Sequence, residues 1–165
     1  MHTKSVVIKM ILKILFYALA GYITLCTIVF ISQRKLLYFP NEIQTSEERA
    51  SVEGLRYWPS FGNFQGFISQ GEMVHSKGTI IVFHGNAGAA YHRSFYARAL
   101  SIQNLRVILA EYPGYGGRVG QPSEDVLVKD ALETIRLAYQ EFGEPLFVWG
   151  ARSNWSTKRF TMAMP

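Results

Sequence analysis

Hydrophobic and polar positions divide this chain into one long apolar stretch and several short apolar runs separated by amphipathic or turn-forming segments. Residues 14–32 contain no charged side chain, which matches the ~20 residues a helix needs to cross a bilayer. Farther on, residues 79–83, 106–110 and 146–149 are short runs with apolar character on both faces. That pattern predicts strands buried on both sides, as in a parallel sheet. Residues 64–69, bounded by Gly62, Gly66 and Gly71, predict another strand. Between the apolar runs, 91–103 places Tyr91, Phe95, Ala99 and Ile102 at helical spacing, with Asn104 as a left-handed stop. The best-defined helix is 123–142. Ser123 caps it, Glu124 and Asp125 complement its dipole, and Gly143 and Pro145 end it. Val128, Ala131, Leu132, Ile135, Ala138, Tyr139 and Phe142 form its apolar stripe. Residues 36–64 show no clear period, and 42–53 is polar enough for a connector or a short helix.

Strand, helix, strand, helix, strand with short links predicts an α/β fold: a mostly parallel sheet flanked by helices, behind one transmembrane helix. Ligands of such sheets bind at the carboxyl ends of the strands. Three segments meet there: 85–90, 111–121 and the residues after Trp149.

Composition sharpens the N-terminal reading. The chain has 165 residues, a net charge of +5 and 48% hydrophobic residues, enough for one soluble domain at most. Lys4, Lys9 and Lys13 precede the apolar stretch, and Arg34 and Lys35 follow it. Tyr38 and Phe39 then fall at headgroup level, with Trp58 farther along. An uncleaved signal anchor is expected. A cleaved signal peptide would have a shorter apolar core, and its candidate site Ala18-Leu19-Ala20 lies too early. A lipoprotein is disfavoured because Leu25 before Cys26 is bulky. Three basic residues against two place the N-terminus on the cytoplasmic side. The basic balance suits the anionic surface of a lipid bilayer as partner. No basic stripe with interleaved aromatics is present, so nucleic acid is not an expected partner. Cys26, the only cysteine, lies in the membrane stretch and excludes an intrachain disulfide.

The chemistry-bearing residues are Leu37-Tyr38-Phe39-Pro40, His84-Gly85-Asn86-Ala87-Gly88 and Glu111-Tyr112-Pro113-Gly114-Tyr115-Gly116, the last leading to Pro122-Ser123-Glu124. In order and spacing, from residue 36 to 150, they resemble the membrane-anchored serine-hydrolase branch of the α/β-hydrolase family. The resemblance implies hydrolysis of an ester, thioester or amide in a small acyl or peptide substrate, without metal or organic cofactor. It implies that the backbone N–H of Asn86 is an oxyanion donor, a contact worth ~3 kcal/mol in a transition state. Gly85 and Gly88 would let the backbone approach closely. His84 would be structural, and Tyr112, Gly114 and Tyr115 would line the site entrance. Tyr115 is open to either substrate contact or packing, and a plain strand-to-helix turn remains the simpler reading of 84–88. A phosphate loop is disfavoured, since Gly85-Asn86-Ala87-Gly88 lacks both the dinucleotide spacing and a Gly-Lys-Ser/Thr ending.

The chain departs from the family where the nucleophile belongs. A Gly-x-Ser-x-Gly elbow should follow 146–149; instead the chain reads Gly150-Ala151-Arg152-Ser153-Asn154-Trp155. Counted from Gly150, the serine position holds Arg152. Counted from Ser153, a weak candidate nucleophile, the glycine positions hold Ala151 and Trp155. The implied organisation is an anchor at 1–35, the N-terminal half of a hydrolase domain at 36–150, and an aberrant tail at 151–165 with no strand alternation. On this reading the domain is truncated, inactive as it stands, and left with residues 146–149 as a bare apolar edge. A frameshift near codon 150 would produce the abrupt change. The alternative is a non-catalytic membrane-anchored binding or interaction protein that retains the half-fold.

Overall fold

The computed structural model describes residues 2–40, 44–60, 62–71, 76–150 and 157–160. The chain forms two compact units, Met1–Leu37 and Tyr38–Pro165. The first is a single helix, α1 (His2–Leu37). It runs past the charge-free stretch at both ends, so Lys4, Lys9 and Lys13 on one side and Arg34 and Lys35 on the other belong to the same helix. Its segment Val6–Leu37 is long and apolar enough to cross a membrane, and none of its most apolar window is buried within the protein. A helix of a soluble core would bury that surface.

The second unit is built on a six-stranded sheet in the order β2-β3-β6-β4-β7-β8. Its strands are β2 (Leu55–Ser60), β3 (Asn63–Ser69), β4 (Thr79–Phe83), β6 (Arg106–Ala110), β7 (Leu146–Gly150) and β8 (Thr157–Phe160). The three central strands are parallel: β4 pairs with β6 from Thr79↔Arg106 to Phe83↔Ala110, and with β7 from Thr79↔Leu146 to Phe83↔Gly150. The remaining pairings, β2 with β3, β3 with β6 and β7 with β8, are antiparallel. The sheet is therefore mixed, with a parallel centre. A separate two-residue pair joins β1 (Phe39–Pro40) to β5 (Ala87–Gly88).

The central strands alternate between two cores, because successive side chains point to opposite faces. Ile80, Val82, Val107 and Leu109 pack on one face with Leu55, Tyr57 and Phe67, under Ala90 and Ala97. Ile81, Phe83 and Ile108 pack on the other with Trp58, Ile68 and Leu146, under Ile135 and Ala138 of α4 (Glu124–Phe142). Ser123 caps α4 by accepting from Val126 N–H, and Gly143 ends it at a φ of +69°. Asn104 has a φ of +59°, the left-handed stop expected of it.

Several elements differ from the sequence pattern. Residues 90–93 form a 3-10 turn, and α3 (Ser94–Ser101) is correspondingly short. The tighter winding of that turn changes the phase of the helix. Its buried face consequently carries Ala90 and Ala97, with Tyr96 and Leu100 against the core, while Phe95 and Ile102 are exposed. On α4 five of the seven stripe residues, Ala131, Ile135, Ala138, Tyr139 and Phe142, pack on the core, whereas Val128 and Leu132 are exposed and Thr134 is buried. Trp58 is fully buried, with its indole N–H donating to Glu141 Oε2 at 2.8 Å, which removes it from any headgroup role. β2 and the short α2 (Glu47–Val52) occupy the stretch without a clear period. The tail is not devoid of strand, because β8 pairs along β7 through Leu146↔Phe160 to Trp149↔Thr157. Residues 146–149 are thus covered on that edge.

Candidate functional site

Each parallel strand delivers one short segment to the carboxyl end of the sheet. β4 is followed directly by His84 and β6 by Glu111, and β7 ends in Gly150. The first two side chains meet. His84 Nε2 lies 2.7 Å from Glu111 Oε1, and both residues are buried. His84 Nδ1 lies 2.7 Å from the Gly85 carbonyl oxygen. A carbonyl can only accept, so Nδ1 carries a proton and donates it there. Both ring nitrogens are committed to bonds inside the fold.

Glu111 does more than hold this imidazole. Its Oε2 accepts from Ala90 N–H at 2.9 Å, and its Oε1 faces Tyr112 N–H at 3.3 Å. One carboxylate thereby joins the end of β4, the start of the 3-10 turn and the β6–α4 connection. Gly116 makes room for it: its φ is +56°, and a Cβ there would come within 2.6 Å of Glu111 Cδ. The connection is secured from the other side by Arg118. Its guanidinium pairs with both oxygens of Asp130 at 2.9 and 2.7 Å, reaches Gln65 at 2.8 Å, and donates to the Glu111 carbonyl. Such forked, nearly buried pairs fix orientation as well as distance. Gly114 N–H donates to the Arg118 carbonyl at 3.1 Å and closes the turn.

The tyrosines tie this turn to the His84–Gly88 loop. Tyr112 O–H donates to the His84 carbonyl at 3.0 Å. Tyr115 O–H is shared between the Asn86 carbonyl at 3.1 Å and Asn86 Oδ1 at 3.2 Å. Burial, with smaller contributions from Tyr115, Glu111 and Asp130, pushes the Tyr112 phenol up to about 12. Burial also raises Tyr115. Both hydroxyls therefore remain donors at neutral pH. Tyr115 is 1% exposed. Asn86 and Ala87 are exposed, and Gly85 and Gly88 are half-buried. The pairing Phe83↔Gly150 sets the end of β4 level with the last residue of β7. Ser153, Arg152 and the flanking positions lie outside the described residues.

The structure thus brings together His84, Gly85, Asn86, Ala87, Gly88, Tyr112, Gly114 and Tyr115. Glu111 and Gly116, quoted from sequence only as part of the motif and given no role, belong to the same assembly, as does Arg118, which sequence did not single out. The signal that could have found Glu111 is a lone acid at the end of an otherwise apolar strand, with a glycine-rich turn behind it.

Relatives share parts of this chain. It is 36% identical to the lysophosphatidylserine lipase ABHD12 of Danio rerio over 78 residues, which is 46% of this chain and 20% of that protein. It is 30% identical to an uncharacterized protein of Mycobacterium tuberculosis over 136 residues, 73% of this chain and 48% of the relative. Protein bem46 of Schizosaccharomyces pombe is 41% identical over 63 residues, 38% of this chain and 21% of that protein. The chain thus spans between about a fifth and a half of these relatives' length. No family model and no solved structure matches it. The mixed sheet with its parallel centre, the His84–Gly88 loop at the end of β4, and relatives that include an α/β-hydrolase domain-containing lipase agree: the chain belongs to the α/β-hydrolase family.

Proposed function

We propose that residues 1–165 carry the oxyanion half of a membrane-anchored serine-hydrolase site and do not by themselves hydrolyse acyl substrates. The observation that carries this reading is the register Phe83↔Gly150. Neighbouring strands lie ~4.8 Å apart, so the start of the Asn86 loop lies close to Gly150, the residue after which a nucleophile elbow would begin in sequence. There the chain has Ala151, Arg152 and Trp155 in place of the residues a nucleophile elbow requires. A serine, its base and its acid act as a unit, and rates fall by orders of magnitude when members are missing. The chemistry of the site, completed by the groups this stretch lacks, is acyl transfer to water. Asn86 N–H stabilises the oxyanion, and the Tyr115 hydroxyl holds the Asn86 peptide in place. A lipase among the relatives supports an acyl lipid as the substrate class. The basic residues ahead of the anchor support a cytoplasmic N-terminus.

The test is labelling of the full chain in detergent with a fluorophosphonate probe, alongside release of fatty acid from a lysophospholipid. Neither labelling nor release is expected. Stoichiometric labelling that disappears in Ser153→Ala would establish a nucleophile and overturn the reading. One observation favours a second reading, a non-catalytic binding protein: β8 lies along β7 and gives the half-sheet a paired edge of its own. Saturable binding of a lysophospholipid without turnover would distinguish it.

A further inference from the structure

On the face of the sheet that carries Ala90 and Ala97, β7 presents Phe147 and Trp149. Both stay half-buried, although Ile80 and Val82, their partners in β4, are only 4% and 1% exposed. α3 reaches this row through Tyr96, whose ring centroid lies 5.3 Å from that of Trp149. Toward the other end of the row α3 stops at Ser101, and the left-handed Asn104 turns the chain back through Leu105 into β6. Lys77 N–H donates to the Asn104 carbonyl at 2.8 Å, and Gln103 N–H to that of Leu100 at 3.0 Å. Those bonds fix the backbones of Lys77 and Gln103 beside each other at the amino end of the parallel strands.

A groove of about 430 Å³ results. Its walls are Ile80, Leu100, Leu105, Phe147 and Trp149, and its polar members are Lys77 and Gln103. Sites for small molecules have ~300–1,000 Å³ and join a mostly apolar lining to a few placed polar groups. Here the polar groups are collected at one end. Lys77 precedes β4 and Gln103 precedes β6, whereas Trp149 stands level with Val82, near the end of β4. Both polar residues are exposed, and neither side chain has an ion pair or hydrogen bond among the described residues. A lysine suits such a mouth, because its stem lies along apolar surface while its ammonium stays in water.

We propose that this groove binds a long-chain fatty carboxylate, with the hydrocarbon chain along Phe147 and Trp149 and the carboxylate at the Lys77 ammonium and the Gln103 amide. One cation beside one neutral donor matches a single negative charge. A phosphate monoester carries more charge and more acceptor oxygens than this mouth satisfies. The site stands apart from the oxyanion reading above, since its polar end lies at the amino end of the strands and the Asn86 loop at the carboxyl end. Its test uses no catalysis, so failure of one leaves the other standing.

The full chain in mild detergent is photolysed with hexadecanoic acid bearing a mid-chain diazirine, and the adducts are mapped by mass spectrometry. Adducts on α1 report probe dissolved in the micelle and serve as the reference. Adducts on Leu100, Leu105, Phe147 or Trp149 are expected, and excess unmodified hexadecanoic acid should reduce them at least fivefold relative to α1. Leu100→Trp, which fills the groove, should reduce them as much. Lys77→Gln should raise the concentration of hexadecanoic acid needed for displacement about two- to fivefold, and leave that of hexadecanol unchanged. Lys77 is exposed, so this variant keeps the fold even where Leu100→Trp does not. Adducts confined to α1 overturn the proposal, as do groove adducts that excess acid, or a folded Leu100→Trp chain, leaves in place. A Lys77→Gln chain that shifts acid and alcohol alike, or neither, also overturns it.

Discussion

Glu111→Ala tests whether the assembly behind the loop is held by one carboxylate. In the folded chain that group, 1% exposed, accepts from Ala90 N–H at 2.9 Å, meets Tyr112 N–H at 3.3 Å and lies 2.7 Å from His84 Nε2. Alanine leaves two backbone donors and an imidazole nitrogen without that acceptor. A buried polar group left unpaired costs about 1–3 kcal/mol, and breaking one side of a buried ionisable pair costs about 3–5 kcal/mol. We expect a loss of about 3–5 kcal/mol, since the three partners share one site and one rearrangement serves them all. That is a large share of the roughly 5–15 kcal/mol by which a domain is stable. Guanidinium unfolding of the full chain in mild detergent, followed by tryptophan emission, measures it. Hydrogen exchange of peptides containing Ala90 and Tyr112 localises it. Glu111→Gln preserves shape and one carbonyl acceptor, so it should lose less than alanine and protect Ala90 N–H partly. A loss below about 1 kcal/mol for Glu111→Ala, or equal losses for alanine and glutamine, would refute the central role assigned to this carboxylate.

Gly116→Ala should reproduce the Glu111→Ala exchange pattern, because its Cβ displaces the same carboxylate; Gly54→Ala, also left-handed at a φ of +72° but with nothing within 4 Å, should lose only the backbone cost of about 1–2 kcal/mol. For Tyr112, burial raises the phenol from 10.0 to about 12. Above the unfolded value the unfolded chain releases a proton that the folded chain retains, so the Tyr112 contribution is intact below pH 10 and is lost as pH rises to about 12. Alkaline unfolding followed at 295 nm should be shallower over that interval in Tyr112→Phe; an unchanged slope would contradict the assignment. Removing residues 151–165 should expose the unpaired edge of β7 and cause concentration-dependent aggregation. A shortened chain that scatters light no more than the full chain would show that β8 does not protect that edge.

Much of this fold was legible because its central strands are buried on both faces. β4, β6 and β7 carry apolar residues at consecutive positions, a pattern that few alternatives to a parallel sheet can accommodate. The capped helix α4 was equally legible, since Ser123 and Gly143 act through their own neighbours in sequence. Three features were not. β2 contains Arg56, Pro59 and Ser60, and it is a strand because β3 pairs with it, not because of any period of its own. The buried faces of α3 and α4 differ from their stripes because a 3-10 turn changes the phase of one, while Val128 and Leu132 of the other remain exposed. The pair β1–β5 joins residues 48 positions apart, Phe39↔Ala87 and Pro40↔Gly88, and two residues are too few to carry a strand pattern.

The site divides along the same line. The His84–Gly88 loop could be read because glycines and small residues after an apolar strand have few other uses. Glu111 could not, because its purpose exists only once three distant backbone segments converge on it. In sequence it is one acid ahead of a turn. In the fold it accepts from the start of the 3-10 turn, meets the imidazole at the end of β4, and requires a glycine five residues later so that the turn can close over it. A serine placed beside the Asn86 loop would act through the backbone geometry that Glu111, Tyr115 and Arg118 maintain. Among the described residues, that geometry draws on residues 84–130 together with Gln65, which Arg118 reaches, and Phe39–Pro40, which pair with Ala87–Gly88.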